Sequence, residues 1–165
     1  MEKPLIGILM GSDSDIPVME KACEVLSQLD IPFEIRISSA HRQPEQTADY
    51  TQKARKRGIE VLICGAGMAA HLAGVVASHT TLPVIGVPLA SGKLNGIDAL
   101  YATVQMPAGI PVATVAIDGA KNAAFLAASI LSIKYPVVAE KLAAIRQATQ
   151  GELEKKSLQL QSKYQ

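Results

Sequence analysis

Two neighbouring side chains, His41 and Arg42, have the chemistry to bind an anion and move a proton. An arginine guanidinium grips phosphate through paired hydrogen bonds, and histidine is the side chain best suited to exchange protons near neutral pH. A lone histidine is more often structural than catalytic, but this one lies on a predicted loop beside a cation. The sequence therefore favours phosphate binding by Arg42 and proton transfer by His41.

A second segment, Gly-Ser-Asp-Ser-Asp at 11–15, has the composition of a phosphate-binding turn. Glycine permits the turn, and the hydroxyls of Ser12 and Ser14 would lie beside the N–H groups of a helix start. A carboxylate would repel phosphate, so Asp15 is predicted to accept hydrogen bonds from sugar hydroxyls. Serine and aspartate are also favoured N-caps, so a simple capped helix start is an equal alternative. The segment has neither a Walker lysine nor the glycine spacing of a dinucleotide fingerprint.

A third segment, 65–72, combines small residues with a second histidine, His71. Small residues let a planar ligand approach backbone amides. Two interpretations of His71 stay open: it reaches the site, or it lies one turn into the next helix and only bonds a backbone group. Met68 is predicted to be a packing residue. No Cys or His stands at metal-ligand spacing from His41, so no metal site is predicted.

The apolar pattern predicts a scaffold that would bring these segments together. Five apolar, β-branched runs indicate strands, and helix-length segments separate them. The strands are predicted at 5–10, 33–37, 61–64, 84–87 and 112–117, and the helices at 16–29, 44–57, 69–78, 95–104 and 120–133. Nearly continuous apolar strands are typical of parallel sheets covered on both faces, so the fold class is α/β, with a three-layer, doubly wound parallel sheet. Such sheets bind ligands at the carboxyl ends of their strands, where all three segments fall.

The chain beyond residue 133 differs in composition from the rest. Residues 134–165 are rich in Ala, Glu, Lys, Leu, Gln and Arg, and predict a C-terminal helical extension to an α/β core at about 1–133. An apolar stripe along the extension favours packing against a partner over a solvated tail. The length of 165 residues, with no visible linker, predicts a single domain, 1–165.

The bulk composition argues against several classes of protein. A formal net charge of +1 gives no global field that would gather nucleic acid or anionic lipid. The apolar stretches are too short for a membrane span of about 20 residues, and the N-terminal one is too short for a signal peptide. Cys23 and Cys64 fall inside predicted elements, which favours buried thiols over a disulfide. A soluble, cytoplasmic protein is therefore expected.

In order along the chain, these motifs closely resemble the PurE family, class I type, whose members are N5-carboxyaminoimidazole ribonucleotide mutases. The ordered set is far more specific than any one motif, and it covers the chain from the first strand to about residue 133. The matching stretches are Gly-Ser-x-Ser-Asp at 11–15, Ser-Ala-His-Arg-x-Pro at 39–44, Gly-Ala-Gly at 65–67, Ala-Ala-His-Leu at 69–72, Gly-Val-Pro at 86–88, Asp-Ala-Leu-Tyr at 98–101, Val-Gln-Met-Pro at 104–107, Gly-Ile-Pro-Val at 109–112 and Asn-Ala-Ala at 122–124. The segment 117–122 departs from the family pattern by being shorter.

The resemblance implies a flavodoxin-like fold, a homo-octamer and an enzyme of purine biosynthesis. Its reaction would interconvert N5-carboxyaminoimidazole ribonucleotide and 4-carboxy-5-aminoimidazole ribonucleotide, without a metal or an organic cofactor. By matching position, His41 would be the catalytic proton-transfer residue. Ser12 and Arg42 would hold the phosphate, with Ser14 as a weaker candidate, and Asp15 would hold the ribose hydroxyls. The base and carboxylate pocket would be lined by Ser39, Ala66, Gly67 and His71.

Two alternative functions stay open. A related carboxylase uses free CO2 and aminoimidazole ribonucleotide directly, and its third loop differs from the 65–72 pattern of this chain. A non-enzymatic flavodoxin-like module would be a phospho-receiver or a flavin carrier. A receiver needs an acidic residue after strand 3, where Cys64 and Gly65 stand, and a flavin carrier needs aromatic residues, which make up 4% of the chain. The loop at 91–93 is predicted to be a simple connection between elements. The family resemblance implies that it could also close over the site as a lid.

Overall fold

Five parallel strands form one sheet in the computed structural model of the protein, which describes residues 3–164. The strands are β1 (Ile6–Met10), β2 (Phe33–Ile37), β3 (Val61–Gly67), β4 (Val84–Leu89) and β5 (Ala113–Thr114). Their order across the sheet is β2-β1-β3-β4-β5, the strand order of flavodoxin-like folds. The predicted α/β class is confirmed.

Helices cover both faces of the sheet and complete the three layers. After a 3-10 turn at Asp13–Asp15 they are α1 (Ile16–Gln28), α2 (Pro44–Arg57), α3 (Leu72–Ser78), α4 (Ile97–Val104), α5 (Ala120–Ser132) and α6 (Pro136–Tyr164). The helices α1 and α5 pack on one face, and α2 and α3 pack on the other. The side chain of Thr103 in α4 lies over Gly86 of β4, where a Cβ would collide with it, so glycine is what lets this helix approach the sheet.

The central strands are apolar because helices cover them from both sides. In β1, Ile6, Ile8 and Met10 belong to the core beneath α1 and α5, whereas Leu9 belongs to the core beneath α2 and α3. Side chains alternate across a strand, so each face needs its own apolar set. The result is the nearly continuous apolar run seen in the sequence.

The start of α3 and the extent of β5 differ from their predicted positions, and the backbone explains both differences. The helix predicted from residue 69 begins at Leu72, because Met68 has a φ of 54° and two three-residue turns precede the helix. The strand predicted at 112–117 is regular only at Ala113–Thr114. The chain leaves the sheet beyond it and turns towards α5 at Asp118, where φ is 57°.

The C-terminal helix α6 is attached to the sheet layers through its first half. Val138 is buried in the core beneath α1 and α5. Just before the helix, Tyr135 donates a hydrogen bond to Glu60 at 2.7 Å, and within it Lys141 Nζ donates to the carbonyl of Leu29 at 2.9 Å. From residue 152 to residue 164 every side chain is exposed. None of the helices within the described residues is both long and apolar enough to cross a membrane.

Candidate active site

The loops after β1, β2 and β3 meet at the carboxyl edge of the sheet because the strands are parallel and aligned. Met10 pairs with Ile37 on one side and with Gly65 on the other. The ladder continues one residue into the loops, since the N–H of Gly11 donates to Gly65 O at 3.2 Å and that of Ser38 donates to Met10 O at 2.7 Å. The three loops that carry the predicted functional residues are thus fixed to one another where they leave the sheet.

One cavity of about 510 Å³ opens between these loops. Its volume falls within the range of roughly 300–1,000 Å³ that is usual for small-molecule sites. All the site residues predicted from the sequence line it, namely Ser12, Ser14, Asp15, Ser39, His41, Arg42, Ala66, Gly67 and His71. The structure therefore brings every predicted side chain to one place.

The first loop, after β1, is held by its own hydrogen bonds. Ser12 is an N-cap whose Oγ accepts from the N–H of Ser14 at 3.4 Å, while its own N–H donates to Asp15 Oδ2 at 2.9 Å. This is a capping box, so the capped helix start and the cavity lining are both present in one segment. Asp13 Oδ1 accepts from Ser12 Oγ at 2.9 Å and from the N–H of Ser14 at 3.1 Å. Asp13 Oδ1 therefore lies between two hydrogen-bond donors, the Ser12 hydroxyl and the Ser14 N–H. An oxygen of a bound anion could take the same position.

The two carboxyl groups of this loop stand in opposite electrostatic settings. Burial raises the pKa of Asp15, although hydrogen bonds from Ser12 and Ser14 oppose the shift. Asp13 is fully exposed, and the hydrogen bond from the Ser12 hydroxyl, with that from the Ser14 N–H, lowers its pKa. Asp15 thus carries a partly desolvated charge, which hydrogen-bond donors of a ligand would stabilise.

Arg42 bridges the first and second loops. Its Nη2 donates to the carbonyl of Gly11 at 3.1 Å. Ser39 Oγ accepts from the backbone N–H of Arg42 at 3.2 Å and from its Nε at 3.4 Å. Ser39 therefore orients the guanidinium, which is exposed and has further N–H donors with which to bind an anion in the cavity.

His41 and His71 form a direct hydrogen bond at the cavity. Nε2 of His41 lies 2.8 Å from Nδ1 of His71, and the rings meet edge to face at 88°. His71 immediately precedes α3, so the first of its two interpretations holds, and its side chain reaches the site. One nitrogen must donate and the other accept, so at least one ring is neutral while this bond exists. Among residues 3–164 no three His, Cys, Asp or Glu side chains are grouped so that they could hold a metal ion.

Ala66 and Gly67 belong to the end of β3, which runs three residues beyond its predicted end at 64. They pair with Pro88 and Leu89 of β4. A Cβ on Gly67 would collide with Ser91 Oγ, so glycine is required for that close approach. The small-residue segment is therefore part of the rigid sheet and presents its backbone to the cavity from a fixed position.

The cavity lining also contains residues that were not assigned to the site from the sequence, among them Ser91 and Met68. Ser91 lies on the loop after β4, and its side chain rests against Gly67 and lines the cavity. Met68 was predicted to be a packing residue, which is wrong, because it is 58% exposed and lines the same cavity. No sequence pattern separates a methionine that packs from one that contacts a ligand, since the positive φ that turns Met68 outwards is visible only in the fold.

Comparisons with known proteins identify the family. The AIR carboxylase family model matches residues 5–152, and the chain belongs to this family. The chain is similar to the N5-carboxyaminoimidazole ribonucleotide mutase of Pyrococcus horikoshii, with 58% identity over 160 residues, 97% of this chain and 90% of that protein. The protein of the same name from Thermotoga maritima is 55% identical over 158 residues, 96% of this chain and 92% of that one. Among solved structures, Treponema denticola PurE is 31% identical, with a TM-score of 0.87 over 95% of this chain and 98% of that one.

We expect Asp15→Asn to be as stable as the parent protein at neutral pH, or more stable. Because burial raises the pKa of Asp15, folding favours its protonated form, so the carboxylate costs stability at a pH above that pKa. The cost disappears once the pH falls below the pKa values of both the folded and the unfolded state. Asparagine keeps an oxygen that can accept from the Ser12 N–H. Thermal unfolding at a series of pH values, at fixed protein concentration, measures the difference.

Asp13→Asn is the matched control and should change stability in the opposite direction. The hydrogen bond from the Ser12 hydroxyl lowers the pKa of Asp13, so its carboxylate adds stability above the unfolded-state pKa that is lost as the pH falls through the folded-state pKa. The Asp13 variant should therefore unfold more easily than the parent at neutral pH and match it in acid. A greater loss at neutral pH for Asp15→Asn than for Asp13→Asn would contradict the assignment of the buried charge.

Proposed function

We propose that this protein is an N5-carboxyaminoimidazole ribonucleotide mutase, an isomerase of purine biosynthesis. It would interconvert N5-carboxyaminoimidazole ribonucleotide and 4-carboxy-5-aminoimidazole ribonucleotide. Family membership and the names of the two similar proteins support this activity. The observation that carries the mechanism is that the hydrogen-bonded pair of His41 and His71 shares one cavity with Arg42 and the serine-rich turn. A ribonucleotide 5'-phosphate needs both parts of this cavity. Arg42 and the serine-rich turn would bind its phosphate, and the histidine pair would face its base.

In this proposal the phosphate binds between the first and second loops. Ser12 and Arg42 donate hydrogen bonds to it, and Ser14 adds a further donor. Asp13 now accepts from Ser12 and Ser14, so phosphate oxygens replace its carboxylate there and the exposed aspartate turns to solvent. Asp15 accepts hydrogen bonds from the ribose hydroxyls, which supply its partly buried carboxylate with additional donors.

The imidazole ring of the substrate would lie over the end of β3. Ala66 and Gly67 offer little side-chain bulk there, which leaves room for a flat ring against the backbone. Ser39 and His71, which also line the cavity, would complete the base and carboxylate end of the site. Because Ser39 also orients Arg42, its hydroxyl would connect the base end of the site with the phosphate end.

The reaction moves a carboxyl group from an exocyclic nitrogen to a ring carbon. In the proposed sequence the carbamate C–N bond breaks, the nitrogen keeps the bonding pair and takes a proton, and CO2 is released into the pocket. The nucleophilic ring carbon then forms a C–C bond to CO2, and removal of the proton from that carbon restores aromaticity. One proton is gained and one is lost, so a single acid–base group suffices.

His41 is the group that we propose carries this proton. Its protonated ring gives a proton to the exocyclic nitrogen, and its neutral ring then takes the proton from the ring carbon. The bond to His71 fixes the orientation of the His41 ring before substrate binds and keeps at least one ring of the pair neutral. The scheme uses no metal or organic cofactor, because CO2 is itself the electrophile.

The activity is tested by incubating the purified protein with N5-carboxyaminoimidazole ribonucleotide in isotopically labelled bicarbonate and following product and label by NMR. We expect 4-carboxy-5-aminoimidazole ribonucleotide that retains the original carboxyl carbon, because a closed pocket holds CO2 until it is recaptured. Product that forms only from aminoimidazole ribonucleotide and carries the label would identify the CO2-dependent carboxylase instead.

Replacement of His41 by asparagine should abolish turnover with little loss of nucleotide binding. Asparagine can still bond His71 but cannot exchange a proton, and the loss of an acid–base group typically lowers a rate by about 10²–10⁴-fold. Turnover is measured with the natural substrate, and binding by calorimetry with the product. His79→Asn, at the end of α3 and outside the cavity lining, is the matched control and should keep parental turnover. Near-normal turnover of the His41 variant would remove the assignment.

The proposal extends to the place and organisation of the enzyme. A cytoplasmic location agrees with a role in purine biosynthesis and with Cys23 and Cys64, which are both free thiols, the state that a reducing compartment maintains. Residues 1–165 would act as a single catalytic domain, with the α/β layers carrying the site. The C-terminal helix would then serve assembly and not catalysis, because it contributes no residue to the cavity lining.

We also propose that the enzyme assembles as a homo-octamer. Two apolar surfaces of the described chain support assembly. The helix α4 exposes Ile97, Tyr101 and Val104 at the i, i+4, i+7 spacing of one helix face, and the distal half of α6 exposes Leu153 and Leu160. Apolar stripes of this kind are typical of surfaces that are covered by another copy or a partner.

Light scattering on the purified protein tests the assembly. An octamer of the 17.4 kDa chain has a mass of about 139 kDa. Tyr101→Asp places a charge in the centre of the α4 stripe, so we expect it to lower the measured mass while circular dichroism stays unchanged. A parent protein that runs as a single chain at all concentrations would exclude the octamer.

A further inference from the structure

Asp118 adopts a left-handed backbone conformation at the turn between β5 and α5. Its φ of 57° is unfavourable for most side chains, and Asn and Asp tolerate it best after glycine. An unfavourable backbone conformation persists only where surrounding contacts stabilise it. The contacts of Asp118 therefore indicate which part of the structure it supports.

Two hydrogen bonds connect Asp118 to the end of β4. Its backbone N–H donates to the carbonyl of Pro88 at 2.9 Å, and its Oδ1 accepts from the N–H of Ala90 at 2.9 Å. The backbone N–H and the carboxylate of one residue therefore grip the strand on both sides of Leu89. Ala90 is the first residue of the loop 90–96 that leads from β4 to α4.

The residues that follow Ala90 form one wall of the cavity. Ser91 lines the cavity and rests against Gly67, and a Cβ on Gly92 would lie 3.4 Å from Met68 Cγ. The start of the loop is therefore stacked on the third loop, which carries the base end of the site. The direction in which the chain leaves Ala90 decides whether this wall is in place.

The far end of the same loop returns to the Asp118 turn. A Cβ on Gly96 would lie 3.1 Å from Ala90 Cα and 2.7 Å from Ile117 Cγ2, so Gly96 touches both the start of the loop and the residue before Asp118. Within the part of the chain that the structure describes, the Ala90 to Asp118 bond is the one hydrogen bond from loop 90–96 to any element other than α4. The intervening residues 92–95 are exposed.

We propose that Asp118 is a positioning residue for carboxylate transfer: its carboxylate holds loop 90–96 against the third loop and so closes one wall of the cavity. The part of this inference that concerns retention of CO2 rests on the proposed function. Without the acceptor the Ala90 N–H bonds to water, and Ser91 is no longer held against Gly67. The pocket then admits water and loses part of the released CO2 before the ring carbon captures it.

Three variants separate the hydrogen bond from the backbone conformation. Asp118→Gly keeps the left-handed backbone without strain and removes the acceptor, so the fold is retained. Asp118→Asn is isosteric, tolerates the same φ and keeps an acceptor oxygen, so it should recover most of what the glycine variant loses. Asp30→Gly is the matched control, because Asp30 also has a positive φ, of 52°, and lies between α1 and β2, outside the cavity lining.

The first readout does not depend on catalysis. Lys93 is the exposed lysine within the loop, so the rate of limited trypsin cleavage after Lys93 reports how firmly the loop is held. We expect cleavage of Asp118→Gly to be several-fold faster than that of the parent, up to roughly tenfold, as the loss of a solvent-exposed hydrogen bond to a charged acceptor predicts. Asp118→Asn and Asp30→Gly should behave like the parent.

The second readout is the fate of the carboxyl carbon in labelled bicarbonate. Asp118→Gly should give product that carries label from solution, with kcat reduced roughly tenfold and KM close to the parental value, because the phosphate and ribose contacts lie on the other loops. Unchanged cleavage after Lys93 in Asp118→Gly, or full retention of the original carboxyl in that variant, would each overturn the proposal. A parent protein without mutase activity would refute the proposed function, while the cleavage result would still decide whether Asp118 holds the loop.

Discussion

The parallel pairing of β1 with both of its neighbours is the constraint on which the site depends. Met10 lies level with Ile37 and Gly65, so the chain leaves three adjacent strands at the same height. The hydrogen bonds from Gly11 and Ser38 extend this ladder into the loops. Three segments that are far apart in sequence therefore become the walls of one cavity, and a shift of register would separate them.

The charge distribution of the site follows from which groups the fold leaves with partners. Arg42 is tied to Gly11 and Ser39 and still has donors for an anion. Asp13 satisfies the donors of the serine-rich turn, while Asp15 is partly desolvated. In the proposed function, the phosphate of a ribonucleotide replaces Asp13 at the serine-rich turn, and its ribose hydroxyls donate to Asp15.

The cavity also depends on contacts behind its lining. Ser39 lines it and orients Arg42, and Gly67 lines it and leaves space for Ser91. Behind Ser91, Asp118 bonds the base of the loop from a strained backbone. The proposed reaction, which keeps CO2 and excludes water, would require such support, because a wall that moves by the width of one water molecule no longer closes the pocket.

Much of the fold was predictable because the physical signals for it are local. The apolar runs of β1, β3 and β4 record burial on both faces, and the ends of α1, α2 and α5 lie within about one residue of their predicted positions. The start of α3 and the length of β5 were not predictable, because Met68 and Asp118 adopt positive φ values that local propensity disfavours. At Asp118, two hydrogen bonds to the end of β4 accompany this conformation, and such long-range contacts are not visible in local sequence.

The sequence by itself determined the α/β class, the family and most of the polar side chains that line the cavity, because residue types and their order reflect strand burial and loop chemistry. Only the tertiary structure decided that His71 bonds His41, that Ser39 orients Arg42, and that Ser91 joins the cavity wall. These contacts join residues on different loops or depend on a loop conformation, and their distances are set by strand register and by the left-handed turns. No pattern of residues along the chain encodes a distance of that kind.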